Sequence, residues 1–287
     1  MELGETISHI RKSKNISIKN LCGDRLSRSA YTRFVNGETD TSATNFLYFL
    51  DRLHVTFNEF MFIKNNYHLS EEKLLLLNLQ EYYLKNDLVK LNDLKKECLF
   101  LSKDSEDVYH HVYLLCSIYI SRLNNYPIEK NIVNDLKKYL ISVDTWTHYE
   151  ILLFNNSMFI FDIEFIELVI NKSINSIEKY KTIRDYTNES FGMLLNVMNI
   201  YLSSKKIEKA NKLFQVLTNL DLSENFVKER LFLLYYEGII KMLIYNDSEG
   251  KELVVQSISC ATFLNMTDTS EALNNMDTFI KNLYNSE

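Results

Sequence analysis

The chain has 287 residues, 46% of them apolar and 24% charged, with a formal net charge of −6. That length calls for two domains or a repeat array. One proline and six glycines leave long helices almost unbroken, and the negative balance excludes a general polyanion binder. No apolar run reaches the roughly 18–20 residues that span a bilayer. The opening MELGETISHIRK lacks the apolar segment of a secretion signal, so a cytoplasmic protein with no membrane contact is expected.

Residues 2–13 read as an amphipathic helix with Leu3, Ile7 and Ile10 inward and Arg11 and Lys12 near its C-terminal end. Ser17 is placed to cap a second short helix that turns Leu21 and Cys22 inward. Gly23–Leu26 then forms a turn, and Ser27 caps a third helix. Tyr31 and Phe34, three apart, bury together, which leaves Arg28, Ser29, Thr32 and Arg33 on the other sides. Two short helices joined by a tight turn, the second presenting arginines and hydroxyls, suit a DNA major groove. The DNA-contacting residues expected are therefore Arg28, Ser29, Thr32 and Arg33, with Ser17 beside them and Arg11, Lys12 and Lys19 toward phosphates. Asn36-Gly37 stops the helix. Thr41–Leu53 makes a fourth, with Phe46, Leu47, Phe49, Leu50 and Leu53 as its apolar face, and the Thr56…Glu59 capping box opens a fifth.

The polar stretch Asn65–Ser70 is the expected joint between domains. Beyond it, helical periodicity predicts helices near 71–85, 87–101, 105–124, 128–141, 147–161, 163–180, 185–203, 207–220, 223–245, 249–265 and 268–285. Pairs of such helices every 38–40 residues or so suggest an α-solenoid. Ala210, Gly238 and Gly250 stand where small residues let neighbouring helices approach closely. Cys22, Cys98, Cys116 and Cys260 are far apart and are expected as buried free thiols. In the first 63 residues eight Lys and Arg meet seven acids, a net of +1, so the rest of the chain carries −7.

The runs L-x-x-x-I-x-x-I-R, S-x-x-x-L-C, LSRSAYTRFVNGE and LDRLHVTFNEF resemble the five-helix domain of phage-repressor-type regulators. More narrowly, MELGETISHIRK with SRSAYTRF and LDRLHVTFNEF resembles the Rgg/GadR/MutR family of transcription regulators. One departure is Val35, where many repressor-type domains carry Glu. The resemblance implies a repeat domain that takes a short imported signalling peptide in a quorum-sensing circuit. It also implies operator DNA bound by a homodimer, with RNA polymerase as a further partner. The FNNSM segment resembles one that recurs in such proteins.

A solenoid groove exposes a concave face, and an extended peptide there needs donors and acceptors. Asn supplies both. The residues expected at the peptide are Tyr149, Asn156, Asn196, Asn199, Tyr236 and Lys241. No HExxH, no Gly-rich phosphate loop, no GxSxG and no paired metal-ligand spacing is present, so neither an enzyme nor a cofactor is expected. The expected protein is all-α: a helix-turn-helix DNA-binding domain (1–64), a linker (65–70) and a tetratricopeptide-like repeat domain for peptide binding and dimerisation (71–287). The alternative is a repeat scaffold whose small domain docks a protein instead of DNA.

Overall fold

The computed structural model describes residues 1–103, 107–180, 183–220, 222 and 224–284. Among these residues the secondary structure is sixteen α-helices and one 3-10 turn. The chain packs as two compact units, Met1–Leu123 and Asn124–Glu287. No helix among the described residues is long and apolar enough to cross a membrane.

The first unit holds α1 (Leu3–Ser13), α2 (Ile18–Cys22), α3 (Arg28–Val35), α4 (Ala43–Leu53), α5 (Phe57–Lys64), α6 (Glu71–Leu84), α7 (Leu88–Leu101) and α8 (Val108–Leu123). Short helices with little intrinsic stability need caps and packing, and both are present. Ser17, Ser27, Ser42 and Thr56 each accept a backbone N–H at the start of α2, α3, α4 and α5. Ile7, Ile10, Leu21, Tyr31, Phe34, Phe49, Leu53 and Phe60 close one core among them. Two expectations fail at its edge. Leu3 is 42% exposed because it is the first residue of α1, and Leu47 is 59% exposed because it lies about 60° past Leu50 around α4. The expected joint at 65–70 falls inside this first unit.

Gly4 explains how α1 meets α3. A Cβ there would sit 2.3 Å from the Phe34 carbonyl oxygen, so the helix backbones touch where α3 ends.

The second unit holds α9 (Lys130–Ser142), α10 (His148–Ser157), α11 (Ile163–Tyr180), α12 (Arg184–Ser203), α13 (Ile207–Thr218), α14 (Val227–Tyr245), α15 (Glu249–Phe263) and α16 (Thr267–Tyr284). These helices pack in succession as a solenoid, α12 on α13 and α14 on α15, with α10 set against α12; α10, α12 and α14 are here the first helices of successive repeats. The expected 147–161 helix ends early as α10 and continues as the 3-10 turn Met158–Ile160. The expected helix starts at 105 and 223 and the expected end at 285 lie outside the described residues. Three cysteines are buried as expected, but Cys260 is exposed on α15. Burial pushes the Cys98 thiol up to about 12 and raises Cys116 further still, so neither is a reactive thiolate.

The tightest helix crossing is reciprocal. A Cβ on Gly238 would lie 2.5 Å from the Gly250 carbonyl oxygen, and one on Gly250 would lie 2.4 Å from the Gly238 carbonyl oxygen. Glycine in a helix costs about 1 kcal/mol relative to alanine, and here that cost is offset by backbone-to-backbone packing. Gly238→Ala is expected to destabilise the chain by about 1–3 kcal/mol through overpacking, read as a lower urea midpoint. A rise in the midpoint, the outcome helix propensity alone favours, would contradict this crossing.

Candidate functional site

On α3, each residue advances about 100° around the axis. Arg28, Thr32, Ser29 and Arg33 therefore fill an arc of about 140°, and Tyr31, Phe34, Ala30 and Val35 fill the opposite side. Tyr31 and Phe34 are buried, while all four polar residues are exposed. The Tyr31 ring meets Phe49 edge-on at 6.0 Å, and Phe34 stacks on Phe49 at 6.1 Å. Two of the polar groups are engaged locally. Thr32 Oγ1 donates to the Arg28 carbonyl, and the Ser29 and Ser27 hydroxyls lie 3.1 Å apart.

The eight cations of the first 63 residues divide into two sets. Arg11 donates to the Tyr31 hydroxyl at 3.1 Å and to the Ile16 carbonyl at 2.7 Å, so it braces α1 against α3. Lys14 donates to the Leu53 carbonyl at the end of α4, where a cation suits the helix dipole. Arg25 donates to Asn45 and lies over the Tyr48 ring at 5.2 Å. Arg52 donates twice to the Asn20 carbonyl. Lys12, Lys19, Arg28 and Arg33 remain exposed, and none forms an ion pair with a described residue. Ser17, Lys19, Ser27 and Arg28 line one groove at the starts of α2 and α3. Of the expected DNA-contacting residues, Arg11 is thus a brace and Ser17 a cap.

The repeat unit gathers a different part of the expected set. Asn196 on α12 donates to the Asn155 side-chain oxygen on α10 at 2.8 Å. Tyr236 on α14 donates to Asn199 Oδ1 on α12 at 2.7 Å. These bonds run across three successive first helices. Tyr236 is fully buried, burial and then neighbouring Tyr235 push its hydroxyl well up, and it serves as a wall holding Asn199. Asn156 is also buried and donates to the Leu152 carbonyl of its own helix. Tyr149 is half-buried with its ring edge on Tyr139. Lys241 stands apart from the row: it pairs with Glu237 and Glu249 and lines a hollow with Asn211 and Phe214.

Asn155 was missed by sequence reasoning, which favoured its neighbour Asn156. A signal for it existed: Asn155 and Asn196 are 41 residues apart, and Asn199 and Tyr236 are 37 apart, close to one repeat. Polar residues recurring at the repeat period are candidates for bonds between equivalent helices.

Comparison with solved structures gives a consistent fold. A candidate transcriptional regulator from Listeria monocytogenes EGD-e superposes with a TM-score of 0.87 at 22% identity, covering 99% of this chain and 98% of that one. The Streptococcus dysgalactiae SHP pheromone receptor Rgg2 does so with a TM-score of 0.80 at 22% identity, covering 96% and 99%. PrgX, in its complex with cCF10, gives 0.73 at 17% identity, covering 97% and 99%. At these identities the likeness shows the fold. The family itself is shown by the family model for the HTH-type transcriptional regulator Rgg, C-terminal domain, which matches residues 95–275. That span is more than half of the chain, and the protein belongs to the Rgg family of helix-turn-helix transcriptional regulators.

Proposed function

We propose that this protein is a peptide-responsive transcription regulator that binds operator DNA as a homodimer. In this reading residues 1–64 hold the DNA and residues 71–287 bind a short signalling peptide and pair the subunits. The protein works in the cytoplasm, with RNA polymerase as a further partner at the promoter. The observation that carries the DNA reading is the division of the cations. Four are committed to holding the helices, and the four whose side chains bond no described residue include both arginines of the α3 polar arc. Arg can bond guanine O6 and N7 bidentately, which suits Arg28 and Arg33 to base edges. Lys12 and Lys19 suit phosphates.

The peptide reading is supported by the Asn row on α10 and α12, held by Tyr236 of α14. After their mutual bond, Asn155 keeps an amide donor and Asn196 a carbonyl acceptor, the two groups an extended backbone needs. Among the similar structures, PrgX is seen in complex with cCF10, and Rgg2 is a receptor for the SHP pheromone. A peptide alters output only by binding one arrangement of the protein better than another.

Fluorescence polarisation with duplexes from upstream of the protein's own gene, at stepped salt, tests the first half. Arg28→Ala and Arg33→Ala are each expected to weaken specific binding by about 1–3 kcal/mol. Lys12→Ala and Lys19→Ala are expected to weaken all duplexes alike and to flatten the salt slope by about 0.9 each. Unchanged affinity in an Arg28→Ala/Arg33→Ala chain would remove the α3 arc from the DNA contact, and no binding by an intact chain that folds by circular dichroism would sink the DNA reading and favour a protein-docking scaffold. For the second half, calorimetry with synthetic peptides encoded beside the gene is expected to show at least about tenfold weaker binding for Asn155→Ala/Asn196→Ala. Equal affinity in that variant would remove the Asn row from the peptide site.

A further inference from the structure

A groove of about 790 Å³ lies in the second unit between the C-terminal halves of α14 and α16 and the start of α15. That volume is within the range of small-ligand sites, roughly 300–1,000 Å³. Its deep side is apolar, with Ile239, Val254 and Ile280 all buried, and its outer rim carries Asp247 and Lys251, whose charges cancel. Among these residues Asp277 is out of keeping. It is only 9% exposed, its Oδ2 accepts the Lys281 ammonium at 2.6 Å, and its Oδ1 is buried with no partner among the described residues. The Tyr235 hydroxyl is also buried without a partner among the described residues. Burial and then the nearby Asp277 charge push that hydroxyl upward.

An ionised carboxylate accepts several hydrogen bonds and is costly to bury with one. The single donor it has is weakly held, because the Lys281 side chain is 61% exposed and the pair is a same-helix contact. Lys281 can leave for water at little cost. A cation arriving with an apolar body would take its place and would cover the buried aliphatic wall as well.

We propose that this groove is a second ligand site, for a primary ammonium or guanidinium carried on an aliphatic body, with Asp277 as counter-ion and Lys281 as the internal cation it displaces. The site is separate from the Asn row and does not rest on the operator-and-peptide reading. The same chemistry arises from a free amphiphilic cation or from a basic side chain of a peptide.

Isothermal titration of the full chain separates these sources, with n-hexylammonium chloride for the first, an end-blocked Leu-Lys-Leu peptide for the second, and n-hexanol as the neutral control. At least one cationic probe is expected to bind, and the tighter of the two identifies the source. Asp277→Asn is expected to weaken it about tenfold or more, while Lys281→Ala, which removes the competitor, tightens it. Opposite signs at two residues that touch are not what a general loss of stability produces. Should Asp277→Asn fail to fold, Lys281→Ala decides alone. The proposal is overturned if neither cation binds, if hexanol binds as well, if Asp277→Asn leaves the affinity unchanged, or if Lys281→Ala fails to tighten it.

Discussion

Tyr31 sets which way α3 faces. Its ring lies edge-on to Phe49, and its hydroxyl accepts from the Arg11 guanidinium, which also reaches the Ile16 carbonyl. An aromatic pair of this kind contributes about 0.5–1.5 kcal/mol beyond the area it buries. The hydrogen bond adds direction. With both in place α3 cannot roll about its axis, so the arc from Arg28 to Arg33 is held toward solvent. The backbone bonds of an eight-residue helix are indifferent to its rotation, so side-chain contacts such as these, with Phe34 stacked on Phe49, must fix it.

The same economy governs charge in these helices. Lysine and arginine near helix ends are stabilising wherever they find carbonyls, and Lys14 and Arg52 are used that way. Cations used as struts are not available to a ligand. What remains is a small exposed set on a segment of net charge +1, which agrees with recognition through a few placed contacts more than through a broad basic field.

The repeat unit is organised by how closely its helices approach. Gly238 and Gly250 bring α14 and α15 into backbone contact, and this leaves α16 to pack through longer side chains. The groove that contains Asp277 lies along that seam. Between successive first helices the contacts are polar, as in the bonds from Asn155 to Asn196 and from Tyr236 to Asn199. One edge of the repeat unit is thus closed by packing, and the row from Asn155 to Tyr236 is joined by hydrogen bonds.

Much of this was legible in the residues themselves, because it depends on local rules. Capping by Ser17, Ser27 and Thr56, the burial of Tyr31 and Phe34, and the pairing of long helices all follow from short-range periodicity and end chemistry. The close approach at Gly238 and Gly250 was legible for the same reason. Tertiary structure alone decided which of several equivalent side chains was spent. Arg11 reads like Lys12 until the Tyr31 hydroxyl appears beside it, 20 residues away in the chain. Asn155 reads like Asn156 until α12 lies against α10. Asp277 reads as an ordinary surface acid until its helix, α16, packs against α14 and α15. In each case what surrounds the side chain comes from a distant part of the sequence, and sequence periodicity specifies a face without naming what it meets.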